Sequence, residues 1–480
     1  MESWTNGPAW GRVRVKKESS MTATAFSSLH LKTPMLKNLA SLGYAEMTPI
    51  QASTLPLILS GKDVIAKAKT GSGKTAAFGI GLLSSVVVNS SRVQALVLCP
   101  TRELADQVGK ELRRLARCTD NMRILTLCGG VPFGPQMGSL QHGAHVVVGT
   151  PGRLLDHLRR GSLDLAFLQT LVLDEADRML DMGFQEEIAA LIAATPEKKQ
   201  TLLFSATYPE AIATMSATIQ REPVEVSVDE AHEDGVIEQV LYEVDKDERT
   251  QAVARILGHY RPESTLVFCN TKKECQELAE ALAKRGLSAL AIHGDLEQRE
   301  RDLVLVRFAN KSASVLVATD VAARGLDIKE LSAVINFELS RDPEIHIHRI
   351  GRTGRAGEQG LALSLVTAQE ERRVQAVETA LGAAIHRAEL ASLIIAAGPP
   401  LAPAMVTLCI DGGRKNKIRP GDILGALTGE AGIAGSEVGK IDVFDCHAYV
   451  AIMRGSAVQA LACLSGNRIK GRFFKARQVG

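Results

Sequence analysis

Short apolar segments alternate with longer amphipathic segments along most of the chain. Six apolar segments fall between residues 25 and 222, and five fall between residues 239 and 390. A strand with no polar alternation is buried on both faces, so this pattern predicts two parallel α/β sheets covered by helices. The predicted strands are 63–66, 95–99, 123–127, 145–148, 170–173 and 201–204 in the first region, and 265–268, 289–292, 315–318, 333–336 and 360–365 in the second.

Residues 405–480 show a different pattern, in which two helix-like segments are set among four strand-like ones. This order predicts a small α+β sandwich rather than a third parallel sheet. The predicted strands are 406–410, 439–444, 447–452 and 472–477, and the predicted helices are 420–427 and 457–464.

Composition changes in the segments between these regions predict where the domains end. The first residues are polar and basic, and we expect a disordered tail, with an RNA-gripping arm as the alternative. An acid-rich stretch and a proline-broken stretch read as linkers, which predicts a hinge between the two α/β domains. The predicted boundaries are 1–24 (tail), 25–222 (first α/β domain), 223–238 (acidic linker), 239–390 (second α/β domain), 391–404 (proline-rich linker) and 405–480 (C-terminal domain).

Composition excludes several classes of protein. Hydrophobic residues make up 45% of the 480 positions, which excludes global disorder, and the formal net charge is only +2. Any site for a polyanion must therefore be a local basic patch. The N-terminal segment does not resemble a secretory signal, and no apolar run is long enough to span a bilayer. Eight scattered cysteines without zinc-site spacing indicate buried, reduced thiols, so we expect a cytoplasmic protein that does not engage a membrane.

A glycine-rich loop follows the first predicted strand. Glycines let backbone N–H groups turn toward phosphate, the lysine reaches the outer phosphates, and the final threonine hydroxyl can ligate Mg²⁺. The sequence therefore predicts a nucleotide-phosphate site here. The residues of this loop are Ala68, Lys69, Thr70, Gly71, Ser72, Gly73, Lys74 and Thr75.

A cluster of carboxylates follows the fifth predicted strand, in the string Asp174-Glu175-Ala176-Asp177. Asp174 can hold a magnesium ion, and Glu175 can orient and deprotonate an attacking water molecule. An acidic string alone is usually a solvated loop. Together with an upstream phosphate loop, it completes a magnesium-dependent NTP site with Lys74, Asp174 and Glu175 as catalytic residues.

These motifs, in this order over residues 26–367, resemble those of the DEAD-box RNA helicases, which are ATPases built from two RecA-like domains. The resemblance implies that Gln51 pairs with the edge of adenine, that Phe26 stacks on its face, and that Asp327 holds the ribose. Met47 stands where most family members have proline, which puts the rigidity of that loop in question.

Several loops at predicted strand ends resemble the family's RNA-binding motifs. Hydroxyls, glycine N–H groups and guanidinium groups at helix starts are good donors to phosphate. Each motif is weak alone, but together they predict a row facing one RNA strand. The residues implied in RNA contact are Thr101, Arg102, Gly130, Thr150 and Arg153 in the first domain, and Asn270, Gly294, Arg301 and Thr319 in the second.

The remaining motifs are implied to couple hydrolysis to RNA binding. Three arginines at a spacing of three, in His348-Arg349-Ile350-Gly351-Arg352-Thr353-Gly354-Arg355, look like poor core material. The resemblance implies that Arg352 and Arg355 act as catalytic arginine fingers from the other domain, which makes hydrolysis depend on domain closure over RNA. The implied coupling residues are Asp177, Ser205, Thr207 and His348.

The C-terminal region carries eleven Lys and Arg residues against six Asp and Glu, and resembles the RRM-like specificity domain of the DbpA subgroup. Asp445 replaces a basic residue of the RNP1 pattern and Thr407 an aromatic residue of RNP2. The reduced stacking surface predicts recognition of RNA shape and phosphates by basic loops. A generic basic, stabilising domain is the alternative. The candidate contacts are Arg414, Lys415, Lys417, Arg468, Lys470 and Arg472.

We therefore expect an RNA-dependent ATPase, with ATP and Mg²⁺ as cofactors, that locally unwinds short RNA duplexes. The resemblance implies 23S ribosomal RNA within pre-ribosomal particles of the large (50S) subunit as its partner, and we expect a monomer. One alternative is an ATP-gated RNA clamp with little unwinding. A guanine-nucleotide switch is disfavoured because no NKxD motif follows the phosphate loop, and a DNA helicase is disfavoured by the Asp-Glu-Ala-Asp form.

Overall fold

The computed structural model divides into two compact units, residues 1–231 and 232–480. The tail and four predicted site residues, Lys69, Thr70, Asp327 and Arg355, lie outside the part of the chain that the structure describes. The structure describes residues 24–68, 71–228, 237–323, 331–354, 359–395 and 402–479.

The first unit contains a seven-stranded sheet in the order β3-β4-β2-β5-β6-β1-β7, with every pair of neighbours parallel. Apolar clusters cover both faces, as the uninterrupted apolar strands require. The strands are β1 Val64–Lys67, β2 Ala95–Leu98, β3 Ile124–Leu127, β4 Val146–Gly149, β5 Thr170–Asp174, β6 Gln200–Ser205 and β7 Val224–Ser227. The helices are α1 Thr33–Ser41, α2 Pro49–Leu59, α3 Lys74–Ser85, α4 Arg102–Leu115, α5 Phe133–Gln141, α6 Pro151–Arg159, α7 Ala176–Asp181, α8 Gln185–Ala193 and α9 Glu210–Ile219.

The second unit begins with another parallel sheet of seven strands, in the order β10-β11-β9-β12-β13-β8-β14. Its strands are β8 Ile237–Glu243, β9 Thr265–Cys269, β10 Ala289–Ile292, β11 Val315–Thr319, β12 Ala333–Asn336, β13 Gly360–Val366 and β14 His386–Ala388. Its helices are α10 Arg249–Tyr260, α11 Lys272–Lys284, α12 Gln298–Ala309, α13 Asp320–Ala323, α14 Pro343–Ile350 and α15 Glu371–Leu381.

The same unit ends in a small α+β domain with a four-stranded antiparallel sheet in the order β16-β17-β15-β18. One face of this sheet packs on its helices through alternate strand residues such as Leu408 and Val450. The strands are β15 Met405–Ile410, β16 Val438–Val443, β17 Ala448–Met453 and β18 Ala476–Val479, and the helices are α16 Pro420–Gly425 and α17 Ala457–Gly466.

The predicted fold class is confirmed: two parallel RecA-like sheets and a small antiparallel C-terminal domain. Three strands were missed in the prediction: β7 and β14, which lie at sheet edges, and β8, which lies between β13 and β14. β7 and the start of β8 lie within residues 223–238, where a linker was predicted, because the half-exposed positions of these strands carry polar residues and do not read as apolar runs. The last strand, predicted at 472–477, lies at β18 instead.

Two features of the described residues concern the state of the cysteines and whether any helix could span a membrane. All eight cysteines lie in the described part of the chain and none of them forms a disulfide; six are buried, whereas Cys118 and Cys446 are exposed. Within the described ranges, no helix is long and apolar enough to cross a membrane.

Candidate functional site

The phosphate loop joins the end of β1 to the start of α3. Gly73 has φ +94°, in the region that favours glycine, and a Cβ there would lie 2.5 Å from Gln51 Nε2. Lys74, the first residue of α3, is buried, and its Nζ donates a hydrogen bond of 2.9 Å to the Ala68 carbonyl. The loop therefore brings the lysine ammonium back over its own backbone, at a helix N-terminus suited to anions.

Gln51 braces this loop from α2. Its Nε2 donates to the Gly73 carbonyl at 3.2 Å, and its Oε1 accepts from the Thr48 N–H at 3.0 Å. Thr48 Oγ1 in turn donates to the Ser72 carbonyl at 2.8 Å. Both ends of the Gln51 amide thus contact protein, and its role in reading adenine stays a prediction. Thr48, which was not among the predicted site residues, takes part in the same contacts.

Phe26, the other residue predicted to contact adenine, is buried. Its ring lies edge-on to Tyr44, with 5.9 Å between the ring centroids. The ring forms part of the apolar cluster around α1 and α2, so its stacking on a base also stays a prediction.

Asp174 ends β5 and is only 3% exposed. Burial raises the pKa of its carboxyl to about 7, although the nearby Lys74 ammonium acts in the opposite direction. Its Oδ1 is buried and has no hydrogen-bond partner among the described atoms. A buried carboxylate oxygen without a donor is a suitable ligand for a hard cation.

These residues fit a magnesium ion. Mg²⁺ is usually held by one or two protein oxygens together with substrate phosphates, not by a complete protein cage. Asp174 Oδ1 and the half-buried Thr75 hydroxyl on α3 provide such oxygens. The described residues include no group of three or more His, Cys, Asp or Glu side chains arranged to hold a metal.

Glu175 is held in a strained backbone conformation between β5 and α7. Its φ of 53° and ψ of 53° lie in the left-handed region, which a residue with a side chain rarely adopts. Its Oε2 accepts a hydrogen bond of 3.0 Å from Arg178 Nη1, within a buried ion pair. Such strain is concentrated at functional sites, where the surrounding structure imposes it.

Asp177 links α7 to the end of β6. Its Oδ2 accepts from the N–H groups of Ala206 and Thr207, at 3.1 and 2.9 Å, and from Thr207 Oγ1 at 3.0 Å. Ser205 Oγ accepts from the Asp177 N–H at 3.3 Å. Burial alone would raise the pKa of Asp177, but the hydrogen bonds from Thr207 and Arg178 outweigh it and lower the pKa. The structure therefore joins these three predicted coupling residues.

The RNA-side residues predicted in the first unit lie at helix starts along the same edge of the sheet. Thr101 caps α4 by accepting from the Leu104 N–H at 3.2 Å. The Arg102 guanidinium lies so close to Gly130 that a Cβ there would overlap it. Thr150 precedes α6, and Arg153 lies in the first turn of that helix. The loops that carry these residues are therefore adjacent.

Gln136, on α5, connects these loops and was not among the predicted site residues. Its Nε2 donates to the Cys128 carbonyl at 2.9 Å, and its Oε1 accepts from Arg153 Nη1 at 2.9 Å and from His157 Nε2 at 3.0 Å. Burial and the neighbouring Arg153 lower the pKa of His157, whose Nδ1 lies 2.8 Å from Ser162 Oγ. Gln136 therefore links the loop after β3 to Arg153 and His157 on α6.

The arginine motif of the second unit differs from the expectation in one respect. Arg349 is 2% exposed, and it donates to Asp320 Oδ1 at 2.7 Å, to Asn270 Oδ1 at 3.0 Å and to the Glu338 carbonyl at 2.7 Å. The prediction that these arginines are poor core material is therefore wrong for Arg349. A buried guanidinium is tolerated here because a carboxylate and other oxygens satisfy it.

The other predicted residues of this unit are distributed over the ends of its strands and helices. Arg352 is also buried, just beyond α14, and His348 lies in that helix. Thr319 ends β11, and Arg301 lies on α12. Gly294 lies beside Lys272, whose Nζ is 2.6 Å from Asp295 Oδ1.

The C-terminal domain packs against α12 of its own unit through the sheet face opposite its helices. Ser312 Oγ and Asn310 Nδ2 lie 2.7 and 3.2 Å from Thr407 Oγ1. Beside this contact, Cys409 and Tyr449 form an apolar cluster with Val306. The face that would carry the RNP stacking residues is thus covered by protein.

The predicted basic contacts of this domain lie outside that covered face and are all exposed. Lys417 and Lys470 are joined through a hydrogen bond of 2.9 Å from Lys470 Nζ to the Lys417 carbonyl. Two longer ion pairs also involve this set, Lys470 with Asp422 at 3.5 Å and Arg414 with Asp445 at 4.0 Å. The exposed residues are Arg414, Lys415, Lys417, Arg468, Lys470 and Arg472.

Two RecA-like sheets, the first with a phosphate loop and strand-end carboxylates, define a P-loop ATPase of the two-domain type. Residues 48–223 match the model of the DEAD/DEAH box helicases, 248–357 match the helicase conserved C-terminal domain, and 407–478 match the DbpA RNA binding domain. The chain belongs to the DEAD-box family of ATP-dependent RNA helicases.

Named relatives agree with this membership. The chain is 55% identical over 456 residues to the ATP-dependent RNA helicase DbpA of Escherichia coli K12, covering 95% of this chain and 99% of that protein. It is 45% identical over 360 residues to the DEAD-box ATP-dependent RNA helicase CshA of Bacillus subtilis 168, covering 75% and 72%.

Solved structures show the same two-sheet core. Dbp5 of S. cerevisiae, bound to RNA and ADP BeF3, matches with a TM-score of 0.70 at 31% identity, over 77% of this chain and 96% of that one. Mss116p, bound to ssRNA and AMP-PNP, matches with a TM-score of 0.70 at 29% identity, over 78% and 80%.

The Gln136 contacts generate a prediction about RNA binding. Gln136→Leu removes one of two acceptors for Arg153 Nη1, the other being the Val131 carbonyl at 3.0 Å, and hydrogen bonds to charged groups contribute about 1.5–3 kcal/mol. We expect the RNA concentration that gives half-maximal stimulation of ATP hydrolysis to rise roughly tenfold. Gln136→Glu keeps the acceptor and is expected to stay near the parent. Ser139→Ala on the same helix is the control, and equal values for Gln136→Leu and this control would contradict the assignment.

His346, on α14, generates a prediction about acid stability. The ring is fully buried, neither nitrogen has a partner among the described atoms, and burial lowers its pKa to about 4. The unfolded chain takes up the proton first, so the stability linked to neutral His346 is present above about pH 6.5 and is lost as pH falls toward 4. We expect the free energy of unfolding of the parent to fall by about 2–3 kcal/mol over this pH range, and His346→Phe to abolish this fall. Urea midpoints at pH 7.5 and pH 5, with exposed His386→Phe as control, provide the test; an unchanged pH dependence would contradict it.

Proposed function

We propose that this protein is an RNA-dependent ATPase and ATP-dependent helicase that locally separates short RNA duplexes. The observation that carries the proposal is the buried Asp174 carboxylate, whose Oδ1 lacks a hydrogen-bond partner among the described atoms, close to Lys74 of the phosphate loop. That arrangement suits a cation and a polyphosphate bound together. Family membership supports ATP as the nucleotide.

The residues of the site would have different roles in ATP hydrolysis. Lys74 and the N–H groups at the start of α3 would hold the outer phosphates, while Thr75 and Asp174 would hold Mg²⁺, which neutralises developing phosphate charge when bound. Glu175, at its strained position, would orient the attacking water molecule and accept its proton. Asp177 would report the state of this site to the segment that follows β6 through Ser205 and Thr207.

We infer that turnover requires both units of the chain. Lys74 and Glu175 belong to the first unit, whereas Arg352 and Arg355 belong to the second, and arginine groups supplied to a phosphoryl transfer contribute about 10³–10⁵ in rate. RNA contacts are predicted on both units. Binding of ATP and of RNA should therefore favour each other, and the coupling should be reciprocal.

The proposed substrate is ribosomal RNA of the large subunit, in particular 23S RNA in assembling 50S particles. The similarity of residues 407–478 to the DbpA RNA binding domain and the exposed basic loops of that domain support this choice. We propose a cytoplasmic monomer that acts on pre-ribosomal particles.

Two substitutions test the catalytic site. Lys74→Ala removes the phosphate-binding ammonium and Glu175→Gln removes the base, so we expect each to lower RNA-stimulated ATP hydrolysis by at least about 10²-fold. Glu175→Gln should still bind ATP and RNA together. Steady-state hydrolysis with and without RNA is the measurement, and exposed Glu186→Gln on α8 is the control. Normal turnover in either site variant would refute the site.

A single-turnover duplex-separation assay decides between a helicase and an ATP-gated RNA clamp. The parent is expected to release the shorter strand of a hybrid RNA duplex when ATP is added. Binding of the RNA with ATP but without strand release would favour the clamp.

A triple substitution tests how RNA is selected. Replacing Arg414, Lys415 and Lys417 with glutamine removes three exposed charges from the C-terminal domain. Each of these cations that meets a phosphate contributes about 1 to the salt slope of binding, so the slope should fall by that amount for each one removed. We expect the preference for 23S RNA fragments over unrelated RNA, measured as half-maximal stimulation of ATP hydrolysis, to decrease. The control replaces exposed Lys273 and Lys284 on α11. An unchanged preference would mean that another surface selects the RNA.

A further inference from the structure

Two adjacent phenylalanines in the C-terminal domain have opposite surroundings. The Phe474 ring packs into the domain against Gly412 and Ile418, so closely that a Cβ on Gly412 would lie 2.5 Å from Phe474 Cδ1. Phe473, one residue earlier, is 61% exposed. Single exposed apolar residues are common on protein surfaces, so the Phe473 ring gains significance only from the groups around it.

Positive charge surrounds the exposed ring. The Arg468 guanidinium carbon lies 5.2 Å from the Phe473 ring centroid, a distance typical of a cation–π contact. Arg472 and Lys475, on either side of the two phenylalanines in sequence, are exposed and form no ion pair within the described ranges. An apolar protein partner would have to desolvate these cations, whereas a polyanion would be attracted to them.

The ring also forms one wall of an open cleft of about 500 Å³. The polar side of the cleft is lined by Lys475, Ser465, Arg477 and Asp411. Arg477 and Asp411 form an ion pair, with 2.8 Å between Nη1 and Oδ1. A cleft of this size accommodates one nucleotide. It combines an aromatic surface with donors and acceptors that can meet the edge of a base.

The covered sheet face of this domain favours Phe473 over the sheet as a stacking surface. Tyr449, the aromatic residue of the sheet, is buried against α12. Stacking of a base on the sheet would therefore require the C-terminal domain to leave its contact with α12. Phe473 offers an aromatic surface in the same domain without such a change.

We propose that Phe473 is a stacking platform for one unpaired base of the RNA, with Arg468 behind the ring and with Arg472 and Lys475 on the flanking phosphates. This proposal rests on the proposed function, because it assigns part of the RNA selectivity of that function to a single aromatic ring. It adds a base contact to a domain in which only charged contacts were predicted.

The test measures binding of the full-length protein to two RNA probes, a hairpin with an unpaired loop and the same stem as a blunt duplex, over a range of salt concentrations. Stacking contributes about 1–3 kcal/mol per base, so Phe473→Ala should weaken hairpin binding by about 5- to 150-fold. Phe473→Leu, which keeps apolar volume but has no ring, should behave like Phe473→Ala, and Phe473→Trp should behave like the parent. The blunt duplex should bind all four proteins alike.

Phe167 provides a matched control. It is also an exposed phenylalanine beside an arginine, with the Arg92 guanidinium carbon 3.7 Å from its ring centroid. It lies just before β5, at the end of the strands opposite the predicted RNA loops. Phe167→Ala is expected to bind the hairpin like the parent.

Two further readouts separate stacking from charge. Phe473→Ala should leave the salt slope unchanged, whereas Arg472→Gln should reduce it by about 1. A hairpin with 5-iodouracil in its loop should crosslink to Phe473 of the parent on irradiation. Unchanged hairpin affinity in both Phe473→Ala and Phe473→Leu would overturn the stacking proposal and leave the helicase proposal standing. A parent that binds neither probe, and whose ATP hydrolysis ignores RNA, would overturn both.

Discussion

The attraction between a buried carboxylate and a buried ammonium is central to this protein. Asp174 ends β5 and Lys74 begins α3, the helix that follows β1, and β5 and β1 are separated in the sheet only by β6. Burial raises the pKa of Asp174 to about 7, and Lys74 opposes that effect. Two charges held out of water are costly unless partners satisfy them, so the edge of this sheet is energetically prepared for a polyphosphate and a cation.

The polar contacts around that pair fix the geometry that chemistry requires. Gln51 and Thr48 hold the phosphate loop from α2, and Thr207 holds Asp177 from the far side. Glu175 remains in a left-handed conformation because α7 and β5 are both anchored on either side of it. A group positioned in this way loses little entropy when it meets its substrate.

Packing within the second unit determines which surface of the C-terminal domain is available to RNA. One face of its sheet covers its own helices, and the other contacts α12 through Thr407, Cys409 and Tyr449. Both broad faces are therefore occupied by protein. Recognition of RNA by this domain is consequently assigned to its edges and loops, where the basic residues and Phe473 lie.

Local patterns were sufficient to predict the class of fold, most strands and the phosphate and carboxylate motifs, because strand burial and phosphate binding leave short, contiguous signatures. They did not reveal Gln136, the buried network of Arg349 or the covered sheet of the C-terminal domain. Each of these depends on residues far apart in the chain, such as Cys128 with Arg153, or Ser312 with Thr407. The edge strands β7 and β14 were missed for a related reason: their backbone is stabilised by a neighbouring strand, and their side chains, half in water, need not be apolar.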